Sequence, residues 1–175
     1  MFVYLATVCP HAVTVCNYAD SMTTVTRRIL KGFDPAALIR ARTLRKLTRS
    51  DLARIASVSL SALGNWEAGR GTPQVDTLAR VAAALEVPME TLIPIPEKDR
   101  TLADLRNIAG ITQPQLGKAT GISTTAIGAL ERAEVRLAAL EPTRIDALIQ
   151  SLNTTRAGFE RAYANAKNRP PGTPA

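Results

Sequence analysis

From about residue 35 onward, apolar positions fall at helical spacing, in short runs broken by small, polar or Gly residues. Leu38, Ala41 and Leu44 predict a first helix from Pro35 to about Arg45, with those three side chains inward. Thr48-Arg49-Ser50-Asp51 has the form of a capping box, in which the hydroxyl and the carboxylate each take a backbone N–H left over at a helix start. It opens a second helix with Leu52, Ala53 and Ala56 inward. Ser57-Val58-Ser59 predicts a tight turn, and Ser59 caps a third helix that runs to about Ala68 with Leu63 and Trp66 inward. Gly69 and Gly71 end it. Thr72-Pro73 predicts the start of a fourth helix, with Pro at its tolerated first position and Leu78, Val81, Ala82 and Leu85 inward. Pro88 opens a last short turn through Leu92.

The same plan returns further along. Residues 38–67 laid on 102–131, an offset of 64, agree at eight of thirty positions: Leu38/Leu102, Arg42/Arg106, Thr48/Thr112, Leu52/Leu116, Ser59/Ser123, Ala62/Ala126, Gly64/Gly128 and Glu67/Glu131. The matches fall at caps and apolar faces, which predicts two domains built alike. A helix over about Leu102–Ala109 stops at Gly110. Thr112-x-x-Gln115 is a second capping box. Gly121 lies in the turn, and Ser123 caps a helix with Ile127 and Leu130 inward. Pro142–Leu152 and a segment capped by Thr154 or Thr155 and running to about Lys167 complete the set. Pro94-Ile95-Pro96-Glu97-Lys98 reads as a short, Pro-stiffened linker. The domains expected are 22–94 and 101–168, joined by 95–100, with 169–175 a disordered tail.

Composition narrows the chemistry. With aromatics at 4% of 175 residues, any core must be built from Leu, Ile, Val and Ala. The net charge of +7 and pI near 10.0 favour an anionic partner. Cys9, His11 and Cys16 all precede residue 17, so the rest of the chain has no imidazole or thiolate. Their spacing fits no common zinc pattern, so no metal site, cofactor or catalytic residue is expected, and the two Cys read as free thiols. No run reaches the ~18 apolar residues of a membrane span. Residues 1–21 read as a disordered arm or a mis-assigned start, with Met22 as a second start.

Leu47-Thr-Arg-Ser-Asp-Leu-Ala-Arg-Ile-Ala-Ser-Val-Ser59, followed by Leu63-Gly-Asn-Trp-Glu-Ala-Gly69 and Pro73, closely resembles the xenobiotic-response-element family of helix-turn-helix proteins, which includes the Cro-type phage repressors. The resemblance spans about residues 36–93. Ile111–Ser123 and Ile127–Arg132 repeat it, and Ala133-Glu-Val-Arg-Leu137 departs from the Gly-containing exit. It implies an all-α fold of two small lambda-repressor-like bundles in tandem, of about five helices each. Ser57 stands at a turn position usually held by Gly, where a positive φ costs roughly 1–2 kcal/mol. Glu67 and Glu131 match a family position that ties the recognition helix to its scaffold.

On that plan the third helix enters the major groove of double-stranded DNA. Leu60, Ser61, Gly64 and Asn65 are the expected base readers, with the Asn65 amide suited to adenine. Arg45, Lys46, Arg49, Arg54 and Arg70 are expected on phosphates. Residues 40–70 hold seven basic side chains against two acidic ones. In the second copy Thr124 and Thr125 stand in the reading positions, and Gln113 and Lys118 in the phosphate positions. Ala129 there replaces the amide of Asn65, and Gln113 the cation of Arg49. The function expected is a cytoplasmic, nucleoid-associated or phage-encoded transcriptional regulator, a repressor rather than an enzyme. It would bind as a homodimer or as a monomer with two readers. The alternative is an antitoxin-like regulator whose residues 101–168 bind a partner protein.

Overall fold

The computed structural model describes residues 30–170. The expectations for Cys9, His11, Cys16, the arm 1–21 and the start at Met22 lie outside the described residues, as does the tail from 171. Among the described residues the regular elements are helices. They are α1 Pro35–Leu44, α2 Arg49–Ile55, α3 Leu60–Glu67, α4 Val75–Leu85, α5 Met89–Leu92, α6 Leu102–Ile108, α7 Gln113–Thr120, α8 Thr124–Glu131, α9 Pro142–Ser151 and α10 Arg156–Lys167.

Local chemistry places most helix starts. The Asp34 carboxylate accepts from Ala36 N–H (2.8 Å), and Pro35 fills a position needing no donor. Both predicted capping boxes are present, Thr48 with Asp51 and Thr112 with Gln115. The Ser59, Ser123 and Thr155 hydroxyls accept from the third N–H of α3, α8 and α10. Two expectations fail. Leu44 is 83% exposed, because two successive i+3 steps from Leu38 drift well off a 3.6-residue period; Ala37, Leu38 and Ala41 are buried instead. Pro73 does not begin α4, which starts at Val75 after Gln74. The Thr72 hydroxyl accepts from Leu30 N–H (3.1 Å) rather than capping a helix.

Leu38, Leu52, Leu63, Leu78, Val81, Leu85, Leu92 and Ile93 form a first core, and Trp66 packs against it half-buried. Leu102, Leu105, Leu116, Ile122, Ile127, Leu130, Leu148, Leu152 and Phe159 form a second. The left-handed residues recur at the offset of 64: Lys46 (φ 55°) with Gly110 (72°), Ser57 (52°) with Gly121 (67°), and Gly69 (68°) with Ala133 (57°). After Ala133 the spacing changes. Glu86 (φ 53°) and Asn153 (48°), which follow α4 and α9, stand 67 apart. The extra residues lie in the loop holding the 3-10 turn Leu137–Ala139. At that spacing Phe159 falls at the position of Leu92, and the first turn of α10 at that of α5.

The linker is not free. It carries a 3-10 turn over Glu97–Asp99, and Arg100 Nε donates to Ile95 O (3.0 Å). Asn165 Nδ2 donates to Lys98 O (2.8 Å) and Arg100 O (2.9 Å). Beyond it, every residue from Thr101 to Asn107 is buried. Leu102 and Leu105 of α6 belong to the second core, while Ile108 packs against the first. Gly110 lies against Ala79 of α4, whose Cβ would be 3.1 Å from an added one. α6 is thus sandwiched between the two cores. At the offset of 64 its buried Asp104 stands at exposed Arg40, and its half-buried Ile108 at exposed Leu44.

Candidate nucleic-acid interface

α3 turns Leu63 and Glu67 inward and leaves Leu60, Ser61 and Asn65 exposed. Leu60 keeps 51% of its surface. Between these residues a Cβ added at Gly64 would meet nothing within 4 Å. The outer face is therefore shallow, carrying a hydroxyl, an amide and a branched apolar tip. On that face the Asn65 Oδ1 accepts from Arg70 Nε (3.2 Å).

The inner face is fixed by charge. Arg42 donates through Nε to Glu67 Oε1 (2.6 Å) and through Nη1 to Leu47 O (2.9 Å). Arg49, at the first position of α2, donates from Nε to Glu67 Oε2 (2.5 Å). Burial would raise the Glu67 carboxyl, but the bonds from Arg42 and Arg49 outweigh it and hold the group below the usual carboxylate range. Arg42 is mostly buried, whereas Arg49 keeps 55% of its side chain in solvent. The cluster of two cations and one anion presents its surplus charge through Arg49. The sequence signal for the Arg42–Glu67 pairing is the recurrence of both residues at one offset, as Arg106 and Glu131.

Of the other expected cations, Lys46, Arg54 and Arg70 are exposed. Arg45 is engaged with Glu86 (2.7 Å), a pair open enough to exchange with an incoming anion. Arg80 of α4, not anticipated, donates to Ser57 O (3.2 Å) and fastens the turn between α2 and α3. Its only sequence signal is a basic residue on the outer face of α4.

In the second half Arg106 donates to Glu131 (2.5 Å) and to Ile111 O (3.1 Å), and Gln113 Nε2 donates to Glu131 Oε2 (2.7 Å). These bonds reproduce those of Arg42, Glu67 and Arg49 with an amide in the third place. Thr124, Thr125 and Lys118 are exposed. Gly128 is not: a Cβ there would lie 3.2 Å from Arg132 Nη1, whose guanidinium roofs the position where Gly64 is open. Arg132 is held by Glu134 (2.7 and 2.9 Å), and that bond lowers the Glu134 carboxyl and raises the guanidinium. α8 thus offers threonines and a tethered cation in place of an amide.

A cleft of about 540 Å³ lies between the halves, lined by Met89, Arg100, Ile108, Leu152, Thr155 and Arg161 among others. None of the expected site residues borders it. Among the described residues no group of His, Cys, Asp and Glu has metal-site geometry, and no helix is long and apolar enough to cross a membrane. No curated protein and no solved structure matches the chain. Residues 38–92, from within α1 to the end of α5, match the family model described as Helix-turn-helix, and over that span the chain carries a helix-turn-helix domain.

Proposed function

We propose that the chain is a sequence-specific double-stranded DNA-binding transcriptional regulator, a repressor that reads the major groove with α3. The observation that carries this reading is the contrast between the two faces of that helix. The inner face is locked by Leu63 and the buried Glu67 cluster. The outer face is open at Gly64, bears Ser61 and Asn65, and is flanked by Arg45, Lys46, Arg49, Arg54 and Arg70. Cations around a shallow polar helix face suit phosphates around base edges. Arg49, held from behind by Glu67, meets a phosphate at the start of α2, and Asn65 meets a base.

The second half acts as a second helix-turn-helix module, with Thr124 and Thr125 at base edges and Gln113 and Lys118 at the backbone. The repeated caps, left-handed turns and Glu131 cluster support this. One chain then carries two readers, and bound DNA sites are bipartite. A second reading has its own support: the roofed Gly128 and the loss of an amide at Ala129 make α8 a poorer base reader, which fits residues 101–168 holding a partner protein.

The test is selection of binding sites from a random duplex library by the full chain. A bipartite enriched sequence is expected. Asn65→Ala should cost about 1–3 kcal/mol and relax preference at one base pair. Failure to enrich any sequence overturns the regulator reading. A single, undivided site returns the second half to the partner-binding alternative.

A further inference from the structure

Three residues ahead of α1 join the first half, the linker and α6. Leu30 is buried in the first core and bonded to Thr72. Gly32 (φ 79°) is pressed against the linker: an added Cβ would stand 2.5 Å from Ile95 Cδ1 and 3.1 Å from Ile93 Cγ2. Between them, Lys31 Nζ donates to Asp104 Oδ2 across 3.2 Å. The Asp104 side chain is 1% exposed and that of Lys31 45%. The same carboxylate oxygen accepts the N–H and hydroxyl of Thr101 (2.9 and 2.8 Å), so it also caps α6. A carboxylate this deep is costly unless a cation compensates it. Lys31 is its cation among the described residues. Within the second half's own numbering the position is unusual, since its counterpart is the exposed Arg40.

We infer that residues 30–32 are a clasp that holds the second half against the first, and that Lys31 and Asp104 are positioning residues that set the half-site spacing the chain accepts. This rests on the two-reader reading above. Two readers on a slack tether accept a range of spacings, because the tether only raises local concentration. Two readers on one rigid body do not. Moving a half-site by one base pair carries it about a tenth of a turn around the duplex. Here α6 lies between both cores, α10 pins the linker through Asn165, and the Lys31–Asp104 bond ties the segment before α1 to α6.

The experiment uses the full chain with Lys31→Met, which keeps the aliphatic stem, and with Asp104→Asn, which keeps an oxygen for the cap. Binding is selected from a library in which the two half-sites are separated by random spacers. Wild type should enrich one spacing. Both variants should enrich several and lose about tenfold on the best site, with each half-site sequence unchanged. In parallel, nitroxides on Ala83 of α4 and Thr143 of α9 report the distance between halves without DNA, in a background with Cys9→Ser and Cys16→Ser. A narrow distribution in wild type that broadens in both variants supports the clasp. A single spacing and a narrow distance retained by the variants overturn it. If wild type enriches no second half-site, the two-reader reading falls on that arm alone. The spin-label arm then decides the clasp, and unchanged widths defeat it.

Discussion

At the scale of single residues, Glu67 is the group on which the candidate site turns. Its side chain is fully buried and takes bonds from Arg42 and Arg49. Glu67→Gln leaves the mostly buried Arg42 without a counter-charge and should cost about 3 kcal/mol of stability, read as the midpoint of urea unfolding. The pH dependence follows from the depressed carboxyl. The contribution is complete above the usual value near 4.5 and is lost as pH falls through the lower folded-state value. Stability of Glu67→Gln should therefore fall less steeply than wild type below pH 4.5. A variant with the same acid limb as wild type would place the titrating group elsewhere. Gly64 separates stability from recognition. With nothing near its Cβ position, Gly64→Ala should gain roughly 0.5–1 kcal/mol from helix propensity and raise the melting temperature. The added methyl points at the proposed base edges, so affinity for the selected site should drop; a rise in both would move the DNA to another face.

At the scale of elements, the turns between α2 and α3 and between α7 and α8 solve one problem with different residues. Ser57 adopts φ 52° where Gly121 adopts 67°. Ser57→Gly should stabilise the chain by about 1 kcal/mol, measured by thermal melting. Loss of stability would mean that the Ser side chain does something its geometry does not record. These turns, the capping boxes of Thr48 and Thr112 and the Ser59 and Ser123 caps were legible in the sequence, because each depends on residues within a few positions of one another. So were the outward positions of Leu60, Ser61 and Asn65, which follow once the cap fixes the phase of α3. The elements misread depended on something distant. Thr72 is turned from capping by the backbone of Leu30, far back in the chain. Leu44 lies two i+3 steps from Leu38, and α1 ends before the next inward position comes round. The buried Arg42–Glu67 pair joins α1 to α3, and residue spacing alone does not reveal a contact of that kind.

At the scale of the whole molecule, the least legible feature was the seat of α6. A linker rich in Pro and charge reads as a boundary, yet the helix after it is buried on all sides and touches both cores. A helix face that packs on a neighbouring unit looks, in sequence, like one that packs on its own.

That seat bears on assembly without limit. α1 stands to its half as α6 does to the second, but α1 has no unit in front of it among the described residues, and Leu44 lies bare at 83% exposure. A docking between unlike faces does not close on itself; repeated from chain to chain, it grows into a filament. Head-to-tail growth would need a copy's second half in front of α1, since its first half already holds its own α6 through Lys31 and Asp104; at the offset of 64 Ile95 then stands for Lys31, and Arg40, paired with Asp34 at 3.1 Å, stands for Asp104. Among the described residues, the ion pair that seats the second half has no counterpart in front of α1. On this view the pair that closes the two halves on each other also ends the series there, because its cation is spent inside the chain.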